Sequence, residues 1–228
     1  NVNLIHANYR DVLRQKHPKC NILFADLGMS SPHLDDPARG FSFRGEGPLD
    51  CRYDRSTGIT ASELLESATP EELERMLREY GEIPRIKAFV GTLLSTRKRK
   101  TLATTLDLVR IVEEVYAWEA KQILPQVFQA IRIAVNDELG ALNRFLEDGP
   151  ALLTPDGRMG VISYHSLEDR MVKRRFLALA GSRSKTATAP ANFELLTRGA
   201  LKPTLSEIED NPRARSARLR AIRKLPGP

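Results

Sequence analysis

The stretch that decides the fold is residues 22–54, ILFADLGMSSPHLDDPARGFSFRGEGPLDCRYD. Its first four residues are apolar and run directly into Asp26, and a Ser-Ser-Pro-His turn follows at 30–33. A short, continuous apolar run of this kind is typical of a strand that is buried in a parallel sheet. Ligands of open α/β sheets bind outside the carboxyl ends of the strands. The pattern therefore predicts a functional site at Asp26 and the turn.

Parts of this segment also have a purely structural interpretation. Asp26 is able to cap the turn through its own backbone, and Ser30 and Ser31 are able to do no more than shape it. Phe41 and Phe43, in contrast, stand in a stretch that is otherwise rich in Asp, Gly and Pro. Because loops rarely carry aromatic side chains unless they fold over something, we expect this loop to be a lid that orders on substrate.

Length and composition restrict the class of protein. A chain of 228 residues is long enough for one large domain, or for one domain with a small insert. Charged residues make up 28% and hydrophobic residues 41%, which is the balance of a soluble globular protein rather than a disordered one. No apolar run approaches the roughly 20 residues of a membrane span, and the opening does not resemble a signal peptide.

The two cysteines, Cys20 and Cys51, form no CxxC or Cys/His grouping, so we expect no metal site and a reducing, cytoplasmic location. The net charge is +6, and the basic residues form clusters at 97–100, 170–175 and 213–224. Clusters that converge on one surface favour a polyanionic partner such as RNA or DNA. Each cluster alone is equally compatible with a solvated face.

The order of predicted elements indicates an α/β fold with a helical insertion. The opening VNLIHANY reads as a short buried strand, followed by a helix over about 10–15. Residues 60–125 show helical periodicity without a strand signal, with a helix start at Thr69-Pro70 and further helices at 86–94 and 106–116. Further elements are expected as follows: an apolar helix face from Phe128 to Leu146, a strand at 158–163, a helix starting at an N-cap Ser166 with Asp169 at its third position, a flexible loop at 181–192, and antiparallel strands at 193–197 and 216–222 across the sheet edge.

Four blocks of sequence together resemble one known family. The segment at 22–54, FQAIRIAVNDEL at 128–139, YHSLEDR at 164–170 and NPRARSARLR at 211–220 are similar, in order and spacing, to the ribosomal small-subunit RNA (cytosine-N4)-methyltransferase family. The resemblance extends over almost the whole chain, which makes it far more specific than a lone short motif.

The resemblance implies a class I, Rossmann-like domain that uses S-adenosylmethionine and carries an inserted all-helical domain. We expect the methyltransferase domain at 1–58 and 126–228, and the helical substrate-recognition insert at 59–125. Family members have a Gly-Gly-His-type loop upstream of the first block, and no such glycine cluster precedes residue 28 here. The sequence thus resembles a family member that lacks its N-terminal portion.

The implied reaction is transfer of a methyl group to N4 of a cytidine in the decoding region of 16S ribosomal RNA, within the small subunit. The exocyclic amine is a poor nucleophile, because its lone pair is delocalised into the ring. It needs oxygen acceptors for its N–H groups and in-line placement against the methyl donor. The turn of Ser30, Ser31 and Pro32 looks like a diverged form of the Asp/Asn-Pro-Pro-aromatic turn of other amino-methyltransferases, and is predicted to be catalytic.

Three residues match the family's cofactor-binding positions. Tyr9 corresponds to an aromatic residue of the adenosine pocket, although an ordinary aromatic at the rim has the same pattern. Asp26 corresponds to the strand-end acid. His33 stands where the family usually has Gln, and this change keeps a hydrogen-bonding side chain but introduces a group that titrates near neutral pH.

Residues suited to RNA come from four places in the sequence. His165 and Ser166 follow a strand end and are predicted to contact the substrate, although a lone histidine is also compatible with a structural role. Arg forks suit phosphates and base edges, whereas the alternative for the C-terminal group is ion pairing that holds the last strand. The other predicted RNA contacts are Arg44, Arg52, Arg132, Arg170, Arg174, Asn211, Arg213 and Arg215. Arg132 shares one helix flank with Gln129 and Asn136, at spacings of three and four, and this flank is expected to face the cleft. Just before this helix the family has His-Pro-Ala-Thr, which this chain replaces by Gln122–Pro125, so no role is transferred there.

Two other functions remain compatible with the sequence. An amino-methyltransferase that acts on DNA would use the same turn, and activity on duplex DNA rather than on small subunits would identify it. A non-catalytic RNA-binding protein would fail to bind S-adenosylmethionine in calorimetry even with the N-terminal portion restored. No membrane partner is expected, and the sequence leaves a homodimer open.

Overall fold

The computed structural model describes residues 2–13, 17–181 and 192–227. In these ranges the α-helices are α1 (Tyr9–Val12), α2 (Ser31–Asp35), α3 (Ala61–Ser67), α4 (Pro70–Met76), α5 (Ile86–Arg97), α6 (Thr105–Tyr116), α7 (Ala120–Asn136), α8 (Glu138–Asp148), α9 (Ser166–Leu179) and α10 (Leu205–Asp210). The strands are β1 (Cys20–Asp26), β2 (Leu153–Ser163), β3 (Phe193–Leu195) and β4 (Arg218–Lys224). The loop predicted at 181–192 lies almost entirely outside the described residues, as does the end of the predicted helix over 10–15.

The strands form one sheet in the order β1-β2-β4-β3. β1 and β2 are parallel, and Asp26 is paired with Ile162 at their carboxyl ends. β4 is antiparallel to both of its neighbours, so it lies between two strands that run the other way. The predicted antiparallel pairing of the last two strands is confirmed, because β4 pairs with β3, which forms the edge of the sheet in the described residues. In the described sheet β1, β2 and β3 run in one direction, and the last strand, β4, is inserted antiparallel between two of them, which is the class I methyltransferase arrangement.

The strand at 22–26 is confirmed, whereas its expected complete burial is wrong. In the described residues β1 pairs with β2 alone, so it forms an edge of this sheet. Ile22 and Phe24 are therefore 67% and 54% exposed. The expected opening strand is also wrong, because residues 2–7 form no strand and Val2 and Leu4 are exposed.

The chain divides into two compact units. One, the sheet unit, contains Asn1–Gly28 and Leu139–Pro228, and the other, the helical unit, contains Met29–Glu138. The predicted domain boundaries, at 58/59 and 125/126, differ from this division by the loop after Gly28 and by most of α7. The assignment of the helical region to substrate recognition stays a prediction.

The core of the sheet unit lies between the sheet and the helices α8 and α9. Phe145 and Leu146 from α8 and Phe176 from α9 pack with Met159 and Ile222 of the strands. Burial of this apolar surface is the main favourable contribution to folding of the unit, at about 25 cal/mol per Å².

An ion-pair cluster adds a directional contact between α9 and β4. Asp169 accepts hydrogen bonds from Arg220 Nε at 2.7 Å and Nη2 at 3.0 Å, and from Arg218 Nη1 at 3.2 Å.

The predicted N-cap of α9 is one residue off. His165 is the N-cap, and Glu168, rather than Asp169, accepts from the backbone N–H groups of Tyr164 and His165.

Capping residues explain why the helices of the helical unit begin where they do. Thr60 and Glu63 form a reciprocal capping box at α3, and Thr69 and Glu72 form another at α4. Each box satisfies two backbone N–H groups that the first turn would leave without partners. The predicted helix start at Thr69-Pro70 is therefore confirmed. The helices predicted at 86–94 and 106–116 are present as α5 and α6.

The apolar face predicted to run along one helix from Phe128 to Leu146 belongs to two helices. α7 ends at Asn136, and Asp137 adopts a left-handed conformation with φ of 49° before α8 begins. An aspartate tolerates this conformation better than a β-branched residue does. The apolar periodicity of the sequence continues across this break, because only one left-handed residue separates two amphipathic helices.

The loop at 29–54 is packed into the helical unit. Phe41, Leu49 and Cys51 are buried in the core of this unit, and the ring of Phe43 contacts that of Phe128 edge to face, with centroids 5.6 Å apart. The prediction of a lid that orders on substrate is therefore wrong, since the loop's own aromatic side chains fill its core. None of the helices in the described ranges is both long and apolar enough to span a bilayer.

Candidate functional site

Asp26 lies at the carboxyl end of β1 and is exposed. Its Oδ1 accepts a hydrogen bond from the backbone N–H of Gly28 at 3.2 Å, which is the turn-capping contact that the structural interpretation expects. The hydroxyl of Tyr164, just beyond the end of β2, forms a second hydrogen bond with the Asp26 carboxylate. Asp26 is thus held by two neighbours while its carboxylate stays accessible.

Tyr164 is the main residue of this site that the sequence did not single out. Burial, and then the charge of Asp26, raise the pKa of Tyr164 to about 12, so the phenol stays protonated and keeps donating. Its ring lies directly over Gly28, where an added Cβ would come within 2.7 Å of Cε2. The only sequence signal was a glycine after the strand-end acid and an aromatic residue after the next strand.

Tyr9 also belongs to the sheet unit. α1 begins with Asn8 as N-cap, whose side chain accepts from the N–H of Arg10, and this places Tyr9 at the first position of the helix. The Tyr9 ring meets Phe145 edge to face, with centroids 5.8 Å apart, and remains 38% exposed. This packing fits a rim aromatic, and the half-open ring also suits stacking on a planar ligand. Its assignment to the cofactor stays a prediction.

The predicted catalytic turn lies in the helical unit, where Ser31 and Pro32 begin α2 with Ser30 as N-cap. The hydroxyl of Ser30 and Nδ1 of His33 are 2.8 Å apart, and the Ser30 carbonyl accepts from the His33 N–H at 3.0 Å. Pro32 restricts the backbone at the start of the helix. The turn is therefore rigid through its own local contacts.

Aromatic rings support the turn from one side. His33 lies 5.3 Å from the Phe41 ring and 5.2 Å from the Tyr53 ring, centroid to centroid, and these two rings stack on each other. Burial, and then the charge of Arg39, lower the pKa of His33. The imidazole is consequently neutral at physiological pH, as the Gln of the family would be.

The polar flank of α7 holds this aromatic group in place. Asn136 accepts from the N–H of Tyr53 through Oδ1 and donates to the Cys51 carbonyl through Nδ2, both at 2.8 Å. Arg132 forms a bidentate pair with Glu138, at 2.7 and 3.0 Å. The expected exposure of this flank to a cleft is thus replaced by contacts within the unit, and the RNA role of Arg132 stays a prediction.

The other predicted RNA residues have different environments. Arg44 is exposed, whereas Arg52 donates to Asp50 through Nε at 2.7 Å. Arg170 and Arg174 lie on the exposed face of α9. Asn211 is the N-cap of a 3₁₀ turn over Pro212–Ser216, which carries Arg213 and Arg215 on the surface. The ion pairs that hold β4 to α9 are made by Arg218 and Arg220, which belong to the strand itself.

The basic run at 97–100 contributes fewer accessible charges than its sequence indicates. Arg97 donates to the carbonyls of Leu65 and Ala68, and Lys100 pairs with Asp107 at 2.6 Å. Lys98 and Arg99 remain exposed. Half of the run therefore stabilises the helical unit.

His165 and Ser166 line a cavity of about 270 Å³ in the sheet unit. The His165 side chain is buried, and its Nε2 lies 3.1 Å from Oε1 of Glu168. The remaining wall includes Lys202, which carried no prediction, and the segment that contains Arg215 and Arg218. The structure thus brings the two predicted RNA sites around His165 and Arg215 together.

The strand order and the polar groups at the carboxyl ends of β1 and β2 define this protein as an α/β protein of the class I methyltransferase fold. The model of the MraW methylase family matches residues 1–225, and the chain belongs to this family.

Curated relatives carry the name "Ribosomal RNA small subunit methyltransferase H". The protein of Prosthecochloris aestuarii is 44% identical over 212 residues, covering 89% of this chain and 64% of the relative. That of Thermomicrobium roseum is 42% identical over 234 residues, covering 96% and 72%. That of Sorangium cellulosum is 41% identical over 233 residues, covering 99% and 70%. The chain therefore spans about two thirds of the length of these relatives.

Proposed function

We propose that this protein transfers a methyl group from S-adenosylmethionine to the exocyclic N4 of a cytidine in the decoding region of 16S ribosomal RNA, acting on the small subunit. The family and the names of the relatives support an enzyme of ribosomal RNA. The choice of the cytosine amine is what the resemblance of the four sequence blocks implies, and the oxygen acceptors of the Ser30–His33 turn suit an amine substrate. The observation that carries the proposal is the exposed carboxylate at the end of β1, in a sheet of class I strand order.

The residues at the strand end fit the proposed cofactor. Asp26 offers an accessible carboxylate for ribose hydroxyl groups, and Tyr9 offers a partly exposed ring for the adenine. Tyr164 and the Gly28 N–H hold the Asp26 side chain in one orientation, so little side-chain entropy remains to be lost on binding. When bound, S-adenosylmethionine supplies an electrophilic methyl group.

The turn supplies acceptors of the kind that the amine requires. With the proton of neutral His33 on Nε2, the Ser30 hydroxyl donates to Nδ1 and keeps its oxygen lone pairs for a substrate N–H. The Ser30 carbonyl accepts one hydrogen bond from within the turn and has a second lone pair. These acceptors favour a pyramidal nitrogen with a localised lone pair. Orientation, rather than a strong base, is expected to provide most of the rate.

The target cytidine must leave its stack before it reaches such a turn. Cations of the sheet unit are expected to hold the surrounding RNA through its phosphates. The exposed arginines of α9 and the group around Arg215 are the residues that we assign to this role.

Small ribosomal subunits that lack the modification provide the direct test. The protein is incubated with these subunits and methyl-labelled S-adenosylmethionine, and the RNA is digested to nucleosides for mass spectrometry. We expect N4-methylcytidine with the wild type, and a loss of about 100-fold or more in rate with Asp26→Ala. Glu114→Ala, which removes an exposed acid of the helical unit, is the matched control and should be fully active.

The same assay separates the alternatives. If duplex DNA becomes methylated and the ribosomal subunits do not, the enzyme acts on DNA. If calorimetry detects no binding of the cofactor, only an RNA-binding role remains. Unchanged turnover by a folded Asp26→Ala protein would contradict the assignment of the strand-end acid.

A further inference from the structure

The cavity beside the carboxyl end of β2 is formed entirely by residues of the sheet unit. Tyr164, His165 and Ser166 form one part of its wall, and Lys202 with residues 215–218 form the rest. Its volume of about 270 Å³ corresponds to about nine waters at about 30 Å³ each. A phosphate group with its ester oxygens fits a space of this size.

The charges around the cavity are unbalanced. Lys202, Arg215 and Arg218 line it, and no carboxylate belongs to its described lining. Arg218 is compensated by Asp169 at 3.2 Å. For the charged groups of Lys202 and Arg215, the described part of the chain provides neither an ion pair nor a hydrogen bond. Two uncompensated cations at one cavity repel each other, and a bound anion removes that repulsion.

His165 adds an incompletely satisfied polar group to the wall. Its side chain is only 8% exposed, and Nδ1 has no hydrogen-bond partner among the described residues. Such a buried polar atom costs free energy unless something bonds to it. The nearby Glu168 carboxylate accepts from the backbone N–H groups of Tyr164 and His165, at 2.8 and 3.3 Å.

The position of α9 favours an anion as well. The helix has 14 residues and begins with Ser166 at the cavity. The N-terminal end of a helix carries partial positive charge and N–H groups without helical partners. This contribution adds to the two side-chain cations rather than replacing them.

We propose that this cavity binds a backbone phosphate of the substrate RNA, with Lys202 and Arg215 as its charged contacts. The inference rests on the proposed function for the identity of the polyanion. Arginine matches phosphate with parallel hydrogen bonds, and lysine adds a point charge. Lys202, Arg215 and Ser216 are exposed at the cavity, so the phosphate can belong to a long chain that continues into solvent.

Tyr164 connects the cavity with the acid at the end of β1. The residue lines the cavity and also hydrogen-bonds to Asp26. A phosphate bound here is therefore separated from the strand-end acid by a single side chain. Binding of the RNA backbone at this point positions the nucleotides next to it relative to Asp26.

The test is a double variant, Lys202→Gln with Arg215→Gln, which leaves the Arg218–Asp169 pair intact. Binding of a fluorescein-labelled single-stranded RNA that contains one cytidine is measured by anisotropy between 50 and 300 mM NaCl. We expect Kd to rise about tenfold, because charge-assisted hydrogen bonds to one phosphate are lost. The slope of log K against log salt should fall by about 0.7 in magnitude, as for one phosphate contact on a single strand.

Lys19→Gln with Arg158→Gln is the matched control. It removes the same charge from exposed residues of the sheet unit near the amino-terminal ends of β1 and β2, away from the cavity, so it should change Kd and the salt slope less than the cavity variant does. Lys202→Arg with Arg215→Lys keeps the charge and should restore most of the affinity. An unchanged Kd and slope in the Gln variant, or an equal loss in the control, would overturn the proposal.

Inorganic phosphate distinguishes the source of the anion. In ¹H–¹⁵N spectra, phosphate should shift the backbone N–H signals of Ser166 and Ala217, and the RNA should displace it. Saturable phosphate binding that RNA does not displace would assign the cavity to a free anion and refute the RNA contact. These measurements need no methyl transfer, so an inactive wild type that shows the expected binding would refute the proposed function alone.

Discussion

Replacement of Gly28 by alanine tests the packing at the strand ends directly. The backbone at Gly28 is not in the left-handed region, so the substitution introduces no conformational strain of its own. The added Cβ would lie 2.7 Å from Cε2 and 3.0 Å from Cζ of the Tyr164 ring. Carbon atoms in contact prefer about 3.5–4.0 Å, so the ring or the strand end must move by about 1 Å.

Such overpacking costs about 1–3 kcal/mol in the free energy of unfolding. The ring has limited freedom to move, because the Tyr164 hydroxyl is bonded to Asp26. We therefore expect Gly28→Ala to destabilise the protein by about 2 kcal/mol and also to weaken cofactor binding. Equilibrium urea unfolding, followed by circular dichroism at 222 nm, measures the first effect, and calorimetry with S-adenosylmethionine measures the second.

Two further variants give the experiment its control. An added Cβ at Gly91 in α5 meets no atom within 4 Å, so Gly91→Ala should stabilise the protein by about 0.5–1 kcal/mol through helix propensity. In a Tyr164→Ala background the cost of Gly28→Ala should largely disappear, which gives a coupling energy of about 1–2 kcal/mol. If the cost of Gly28→Ala persists undiminished without the ring, the explanation by Tyr164 is refuted.

Two more predictions follow from buried charges. Asp169→Asn should lower the free energy of unfolding by about 3 kcal/mol, because it leaves the Arg220 side chain, which is only 13% exposed, without its carboxylate. Asp156→Asn should cost less than about 0.5 kcal/mol, because the Asp156 carboxylate is 62% exposed and lies 3.8 Å from Arg223. Equal urea midpoints for the two variants would contradict this. The pKa of His33 is lowered in the folded protein, so the unfolded chain binds the proton more tightly. The contribution of His33 to the free energy of unfolding is therefore fully present above the ordinary pKa of 6.5 and decreases as the pH falls below it. His33→Gln should remove this change in the free energy of unfolding between pH 7 and pH 5. If the free energy from urea unfolding depends on pH in the same way in His33→Gln and the wild type, His33 is not its cause.

The cavity next to His165 is formed by segments that are far apart in the sequence. The aromatic support of the turn at Ser30, in the other unit, also depends on a distant residue, Asn136. The local sequence predicts Arg215 and His165 as RNA contacts. Lys202 stands in a stretch without a motif, and its side chain gained significance only from the cavity that it lines. A basic side chain is available to an anion only when no carboxylate already pairs with it, and the sequence does not show whether such a pair forms.

The amino-acid sequence by itself determined the local elements. The apolar run before Asp26 predicted β1, and the Thr-Glu spacings at α4 and the helical periodicities predicted α5 and α6, because these signals act within one or two turns of chain. The resemblance of the four blocks predicted the α/β class and the family. All of these depend on residues that are close in the chain or on a pattern of such segments.

Only the tertiary structure decided which faces and charges remain available. Phe41 lies in the core because α7 and the loop at 29–54 pack together. In the basic run at 97–100, Arg97 donates to backbone carbonyls and Lys100 pairs with Asp107, so half of its charges are engaged within the unit. Tyr164 reached Gly28 and Asp26 because β1 and β2, more than 130 residues apart, pair in parallel register. Burial and ion pairing are set by such long-range contacts, which no local pattern of residue types encodes.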